Sequence, residues 1–240
     1  DIARLLRKSS LDLEYELECI IGGPINDLNN KDDFMNVLKR LKGKQRFSRM
    51  TKNNTLLISF DNYDKDYSII TKHLSRVVIN GNGLINQYIK TNSLKSMIDN
   101  VKFESKYIEN INKDIIKDEN YNIRFNLKKE KDIAPTNTHI INLIKEWHSI
   151  KKYFRRKTTY TFYEEEDDFK IDISMVSSNY NKMSKYSKTI QESNVLYNRN
   201  ITYELEVEYI GNKKDNIKDK FHVKFDENKI LTKKEKNESE

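Results

Sequence analysis

The chain has 240 residues, with 44 Lys or Arg against 37 Asp or Glu, a net charge of +7 and one cysteine. A single cysteine excludes an intrachain disulfide and a cysteine-cluster zinc site and favours a reducing compartment, while the length allows one large domain or two small ones to bury a core without staples. No apolar run of about 18 residues and no signal-peptide pattern occurs, so a soluble, unsecreted, cytoplasmic protein without a membrane partner is expected, and the basic balance points weakly to polyanionic partners.

The first predicted element is a strand, Glu14-Tyr15-Glu16-Leu17-Glu18. Spacing of two puts its glutamates on one face and Tyr15 and Leu17 on the other, where Cys19 joins them as a small core residue. Gly22-Gly23-Pro24 reads as a turn. Residues 30–42 read as a helix carrying Phe34, Val37, Leu38 and Leu41 on one face, with Asn30 as N-cap and Gly43 as stop. Strand-like runs follow at 55–60, 75–80 and 85–90, the last two joined by Asn80-Gly81-Asn82-Gly83, a hairpin signal. Another strand is expected at 121–130. Thr138 can cap a helix whose stripe of Ile140, Ile141, Ile144 and Trp147 reads as core packing. Strands near 153–163 and 169–176 flank the acidic run Glu164 to Asp168, a solvated hairpin loop. Residues 180–196 fit helix or loop. The segment Glu204-Leu205-Glu206-Val207-Glu208 is a second acidic strand, followed by a short amphipathic stretch. Residues 1–225 form the expected domain and 226–240 a charged tail or linker.

Two acidic strands are harder to dismiss than one. If they pair, facing carboxylates lie about 5 Å apart, and like charges directly opposite are destabilising. A hard divalent cation such as Mg²⁺ or Mn²⁺ would compensate. The alternative is two unrelated edge strands guarded from aggregation by their charges. The intervening strands alternate in the same way. Ile123, Phe125 and Leu127 interleave with Arg124, Asn126, Lys128 and Glu130, and Ile171, Ile173 and Met175 with Lys170, Asp172 and Ser174, while Arg155 and Lys157 share a face with Tyr153. On an open sheet these charges form a wet outer surface. Repeated over many strands, they fit a closed antiparallel barrel with a charged interior and helices packed outside.

Such a lumen can hold a metal and a polyphosphate together, because phosphoryl transfer asks mainly for positioning and electrostatic stabilisation. The four histidines show no ligand spacing, and the Asn80 to Gly83 turn lacks the Gly-Lys-Ser/Thr ending of a phosphate loop.

On these residues the sequence resembles the metal-dependent RNA triphosphatases of the triphosphate tunnel family, found in fungal and large-DNA-virus mRNA capping enzymes, and within it the N-terminal domain of giant-virus (mimivirus-type) capping enzymes. The resemblance spans Leu13 to about Gly211 and rests on the two acidic strands. It implies an α+β, mainly β fold, a closed antiparallel barrel of about eight strands. By position it assigns Glu16, Glu18 and Glu208 to the metal, Mg²⁺ or Mn²⁺, and Glu204 and Glu206 to metal-bound water or the nucleophile. Arg155 and Lys157 join the catalytic set. Arg76, Lys90, Arg124, Lys128 and Lys170 would bind substrate phosphates, Glu130, Asp172 and Ser174 would line the tunnel, and Glu14 is left open.

Tyr153 departs from the Arg-x-Lys-x-Arg pattern frequent in the family, and Ile20 departs from the Glu-x-Glu-x-Lys of the thiamine triphosphatase and class IV cyclase branch. No Lys-x-Asp-Gly nucleophile motif of a guanylyltransferase is present, and the first residue is not Met. The resemblance therefore implies the triphosphatase module of a multifunctional, viral capping enzyme, acting in cytoplasm, viral factory or virion. Its activity would be hydrolysis of the γ-phosphate from 5′-triphosphate RNA, with NTP as a second substrate and a guanylyltransferase as partner. The alternatives are another tunnel-fold phosphatase or polymerase acting on inorganic polyphosphate or NTP, and a non-catalytic basic RNA-binding module.

Overall fold

A strand with apolar residues on one face and charges on the other must cover the apolar face, and in this chain helices cover it from outside a closed sheet. The computed structural model describes residues 2–12, 14–21, 31–44, 47–60, 76–120, 122–164, 169–179 and 185–210, with the backbone at 223–224 and 232–233. The Gly22–Pro24 turn, Asn30, the acidic run at 165–168 and the domain boundary near 225 lie outside the described residues.

The strands are β1 (Tyr15–Ile21), β2 (Phe47–Phe60), β3 (Arg76–Asn80), β4 (Lys102–Tyr107), β5 (Ile115–Asp118), β6 (Ile123–Ile133), β7 (Lys152–Glu164), β8 (Phe169–Ser178) and β9 (Thr202–Tyr209), with a separate ribbon of β10 (Val223–Lys224) and β11 (Thr232–Lys233). Eight of them run in the order β1-β9-β8-β7-β2-β3-β4-β6, and β6 pairs back with β1, closing an antiparallel barrel. Closure removes the sheet edges. The ninth, β5, pairs with β6 on the edge that β4 leaves. Among the described residues no helix is long and apolar enough to cross a membrane.

Three apolar clusters lie between the barrel wall and the helices. Helix α1 (Ile2–Leu11) lays Leu5 over Tyr15, Leu17 and Leu127. Helix α2 (Lys31–Lys42) places Phe34 and Leu38 against Phe162 and Ile173, with Val37 and Leu41 beside them. Asp32 and Asp33 in its first turn and Lys39, Arg40 and Lys42 in its last complement the helix dipole. The N–H of Gly43 donates to the Lys39 carbonyl (3.2 Å), where the helix ends.

The largest cluster joins the outer faces of β2, β3 and β7 to α3 (Asn82–Thr91) and α5 (Thr138–Lys145). Trp147 is its centre, edge-on to Phe60 (5.9 Å) and Tyr88 (6.1 Å). A short helix, α4 (Ile111–Asp114), links β4 to β5.

Residues 85–90 are helical, and Asn80–Gly83 joins a strand to a helix instead of making a hairpin. Gly81, at φ 85°, turns the chain in a conformation that favours glycine. Leu84, Ile85, Tyr88 and Ile89 then fall on one helical face, packed on the core. On α5, the cap is Asn137, whose side chain accepts from the His139 N–H (2.9 Å), not Thr138. Its buried stripe runs through Ile140, Leu143 and Trp147, and Ile141 is exposed. The stretch 185–200 makes turns, with Ser187 bridged to Lys152.

Candidate active site

Residues opposite one another in a ladder share a face, so register identifies what lines the barrel. In β1 and β9 the partners are Glu18 with Glu208 and Ile20 with Glu206. The next ladder aligns Lys170 with Glu208, Asp172 with Glu206 and Ser174 with Glu204. On the other side of β1, Lys128 stands opposite Glu16 and Asn126 opposite Glu18. The same parity puts Arg155 and Lys157 of β7, Arg76 of β3, Lys102, Glu104 and Lys106 of β4, and Glu130 and Asp132 of β6 on this face. The two acidic strands are adjacent, and their glutamates face the lumen.

The side chains form one nearly continuous ionic lining. Lys106 Nζ reaches Glu16 (2.5 Å), Glu18 (2.8 Å) and Glu130 (3.0 Å). Lys128 also donates to Glu18. Lys170 holds Glu208 (2.7 Å) and Asp172 (3.7 Å), and Asp172 accepts from Thr161 (2.5 Å). Arg155 donates to Glu204 across the intervening strand β8, and Lys157 contacts Glu204 (3.1 Å) and Glu206 (3.6 Å). Ser174, fully buried, bonds Thr159 (2.8 Å).

These pairings do not compensate every carboxylate equally. Burial, backed by the charges of Glu208 and Glu130 and only partly offset by Lys106, pushes the Glu16 carboxyl up to about 7. Burial and the neighbouring Glu18 also raise Glu208, against the pull of Lys170. Burial acts upward on Glu18 too, but Lys106 and Lys128 outweigh it and hold that carboxyl at about 2. Lys106 and Arg76 do the same for Glu130, at about 2. Glu16 and Glu208 are thus the lining carboxylates whose pKa is raised, chiefly by burial, although each has a lysine partner. With Glu18, they offer an all-oxygen donor set of buried or part-buried carboxylates, which fits a hard divalent cation.

A second carboxylate group lies on the same wall. Glu104, Glu130 and Asp132 bring one oxygen each within 4.8 Å of one another. Lys102 spans all three (3.0, 3.4 and 2.9 Å), and Arg76 reaches Glu104 (2.5 Å) and Glu130 (3.9 Å).

Of the residues singled out from the sequence, Glu16, Glu18, Glu130, Glu204, Glu206, Glu208, Arg76, Lys128, Arg155, Lys157, Lys170, Asp172 and Ser174 share the inner face. Lys90 does not. It is exposed on α3, outside the barrel, because its segment is helical. Arg124 has the inner parity, opposite Ile20, but is exposed at the end of β6, away from the ion-pair lining. Glu14 precedes β1 and pairs with Lys129 (3.3 Å), a residue of outer parity. The sequence reading left out β4. Its pattern Lys102-Phe103-Glu104-Ser105-Lys106 carries the same period-two signal, and Lys106 proves to be the hub of the acidic cluster.

No protein-family model matches this chain, and no curated protein is found similar to it. Solved structures do match. The RNA triphosphatase domain of a trifunctional mimivirus mRNA capping enzyme superposes with a TM-score of 0.60 at 22% identity, over 89% of this chain and 87% of that one. A triclinic structure of the mimivirus capping enzyme triphosphatase gives 0.60 at 22% identity, over 91% and 89%. At this identity the likeness is one of fold, and the fold is the triphosphate tunnel.

Proposed function

We propose that this chain is a metal-dependent RNA 5′-triphosphatase, which removes the γ-phosphate of a nascent transcript as the first step of cap formation. The observation that carries the reading is the pairing of β1 with β9 inside a closed barrel. It sets Glu18 opposite Glu208 and rings these carboxylates with inward-facing Lys and Arg. The matching capping-enzyme domain supports the same assignment.

In this reading Glu16, Glu18 and Glu208 would hold Mg²⁺ or Mn²⁺, which when bound offsets phosphate charge and polarises the phosphoryl group. Arg155 and Lys157, two residues apart on β7, bind the triphosphate, with Lys170 and Lys128 facing them from β8 and β6 and Arg76 from β3. Their guanidinium and ammonium groups are already oriented by Glu204, Glu206, Glu208 and Glu18, so little reorganisation is left for the moment of reaction. Glu204 and Glu206 orient a water. Its oxygen attacks the γ-phosphorus, the bond from phosphorus to the β–γ bridging oxygen breaks, and the RNA keeps a diphosphate end. That end is the substrate of a guanylyltransferase, placed by this reading in the same full-length polypeptide, in cytoplasm or viral factory.

The test is orthophosphate release from γ-labelled triphosphate RNA, ATP and tripolyphosphate. Chelation should abolish release, and Mg²⁺ or Mn²⁺ should restore it. Turnover confined to tripolyphosphate would assign the tunnel to inorganic polyphosphate. RNA binding without metal-dependent release would make it a non-catalytic module.

A further inference from the structure

The barrel is closed all round only where β4 is part of the wall. β4 pairs with β3 through Lys102–Glu104 and with β6 through Phe103–Tyr107, then leaves. After α4 the chain returns as β5 on the same edge of β6, opposite Asn126 to Ile123, and among the described residues no strand pairs with the other edge of β5. The β5–β6 hairpin is therefore a lip extending the wall past the closed section.

Its two faces are distinct. Ile116 and Phe125, register partners, pack beneath α1 with Leu5 and Tyr15. Alternation then turns the next pair, Lys117 and Arg124, to the lumen side. Both are exposed, and among the described residues neither is held in an ion pair. This differs from the lining, where each lysine and arginine named above touches a carboxylate. Like charges directly opposite in a ladder cost stability, and among the described residues no carboxylate forms an ion pair with either. Lys128, inside the acidic cluster, shares their face four residues along β6, about 13 Å away at 3.3 Å per residue. Asn126, buried opposite Glu18, lies between Lys128 and Arg124, so the lip pair is a cationic patch separate from the ion-paired lining.

We propose that Lys117 and Arg124 bind the phosphodiester backbone of the RNA just behind its 5′-triphosphate, so that the lip favours an RNA end over a free nucleotide. This rests on the triphosphatase reading. A free NTP carries only a nucleoside beyond its α-phosphate and has no further phosphate to offer the lip. A transcript continues as a polyanion, and an exposed pair of cations suits its phosphates regardless of base.

The experiment compares a short 5′-triphosphate RNA with ATP, for the wild type and for the Lys117→Gln/Arg124→Gln double variant, across a salt series. Melting temperature serves as the folding control. Both positions are exposed, and glutamine keeps the length of the side chain, so the variant should fold normally. The expected result is a fall in kcat/KM for RNA roughly tenfold larger than the fall for ATP. The salt slope of RNA binding should become shallower by about 1.4, at ~0.7 per single-strand phosphate contact. Arg124→Glu should deepen the effect. Equal losses on RNA and ATP, or an unchanged RNA-to-ATP ratio and salt slope, would overturn the lip assignment and leave the tunnel reading standing. A wild type that hydrolyses neither substrate would remove both.

Discussion

Two groups of three carboxylates line this barrel, and they differ in how they are compensated. Glu104, Glu130 and Asp132 lie within 4.8 Å of one another, yet Lys102 bridges all three and Arg76 supports two. Glu16, Glu18 and Glu208 draw on Lys106, Lys128 and Lys170, but Lys106 is shared with Glu130, and the Glu16 carboxyl is left near 7. In the proposed reading, proximity of acids alone does not mark the metal site. Cation count does not separate the groups, since the first has two cations for three acids and the second three for three with one shared; burial does, because it raises Glu16 and Glu208, and the proposed reading gives the metal to that buried group.

The largest effect that separates the two groups is catalytic. Glu16→Ala, Glu18→Ala and Glu208→Ala should each lower phosphate release by about 10³-fold or more, equivalent to ~4 kcal/mol of transition-state stabilisation, with the fold retained by circular dichroism. Asp132→Ala, at a carboxylate that is 67% exposed, should change turnover less than a few-fold. Loss of activity with Asp132→Ala comparable to that with Glu18→Ala would erase the distinction.

A smaller effect tests the same principle on the outer wall. Lys152 is 1% exposed, and its ammonium donates to the carbonyls of Trp147 and Ile150 (both 2.6 Å). Burial, with the Lys188 charge acting the same way and Glu192 opposing, lowers its pKa from 10.5 to about 7. Between pH 7 and about 10.5 the unfolded chain carries this proton and the folded protein does not, so the contribution of Lys152 to stability rises with pH in that window and is flat below it. Denaturant melts at pH 7 and pH 9.5 should show Lys152→Met losing that rise relative to the wild type. Parallel pH profiles for the two proteins would mean that Lys152 stays charged among its carbonyls.

Much of this arrangement was legible from residue spacing. The acidic strands, the inner faces of β6 and β8 and the apolar stripe of α2 depend on local period alone, and the structure keeps them. What spacing did not reveal depends on distant partners. Lys106 matters because β4 and β6 pair, which brings its ammonium to glutamates some 90 residues earlier in the chain. Lys90 was misplaced because a run of Leu, Ile and Tyr satisfies either period over so few residues, and the choice was made by Gly81 and by the core that α3 covers. Arg124 was assigned to the correct face, but the depth of a residue along a barrel is set by where neighbouring strands end, and that is a property of the whole sheet.

The most direct test of the central claim is a Mn²⁺ titration of the chelated protein, followed by electron paramagnetic resonance of the free ion. A binding site that is lost in Glu16→Gln and Glu208→Gln and kept in Glu104→Gln is expected. Binding that survives Glu208→Gln but disappears with Glu104→Gln would place the metal in the other carboxylate group and contradict that claim.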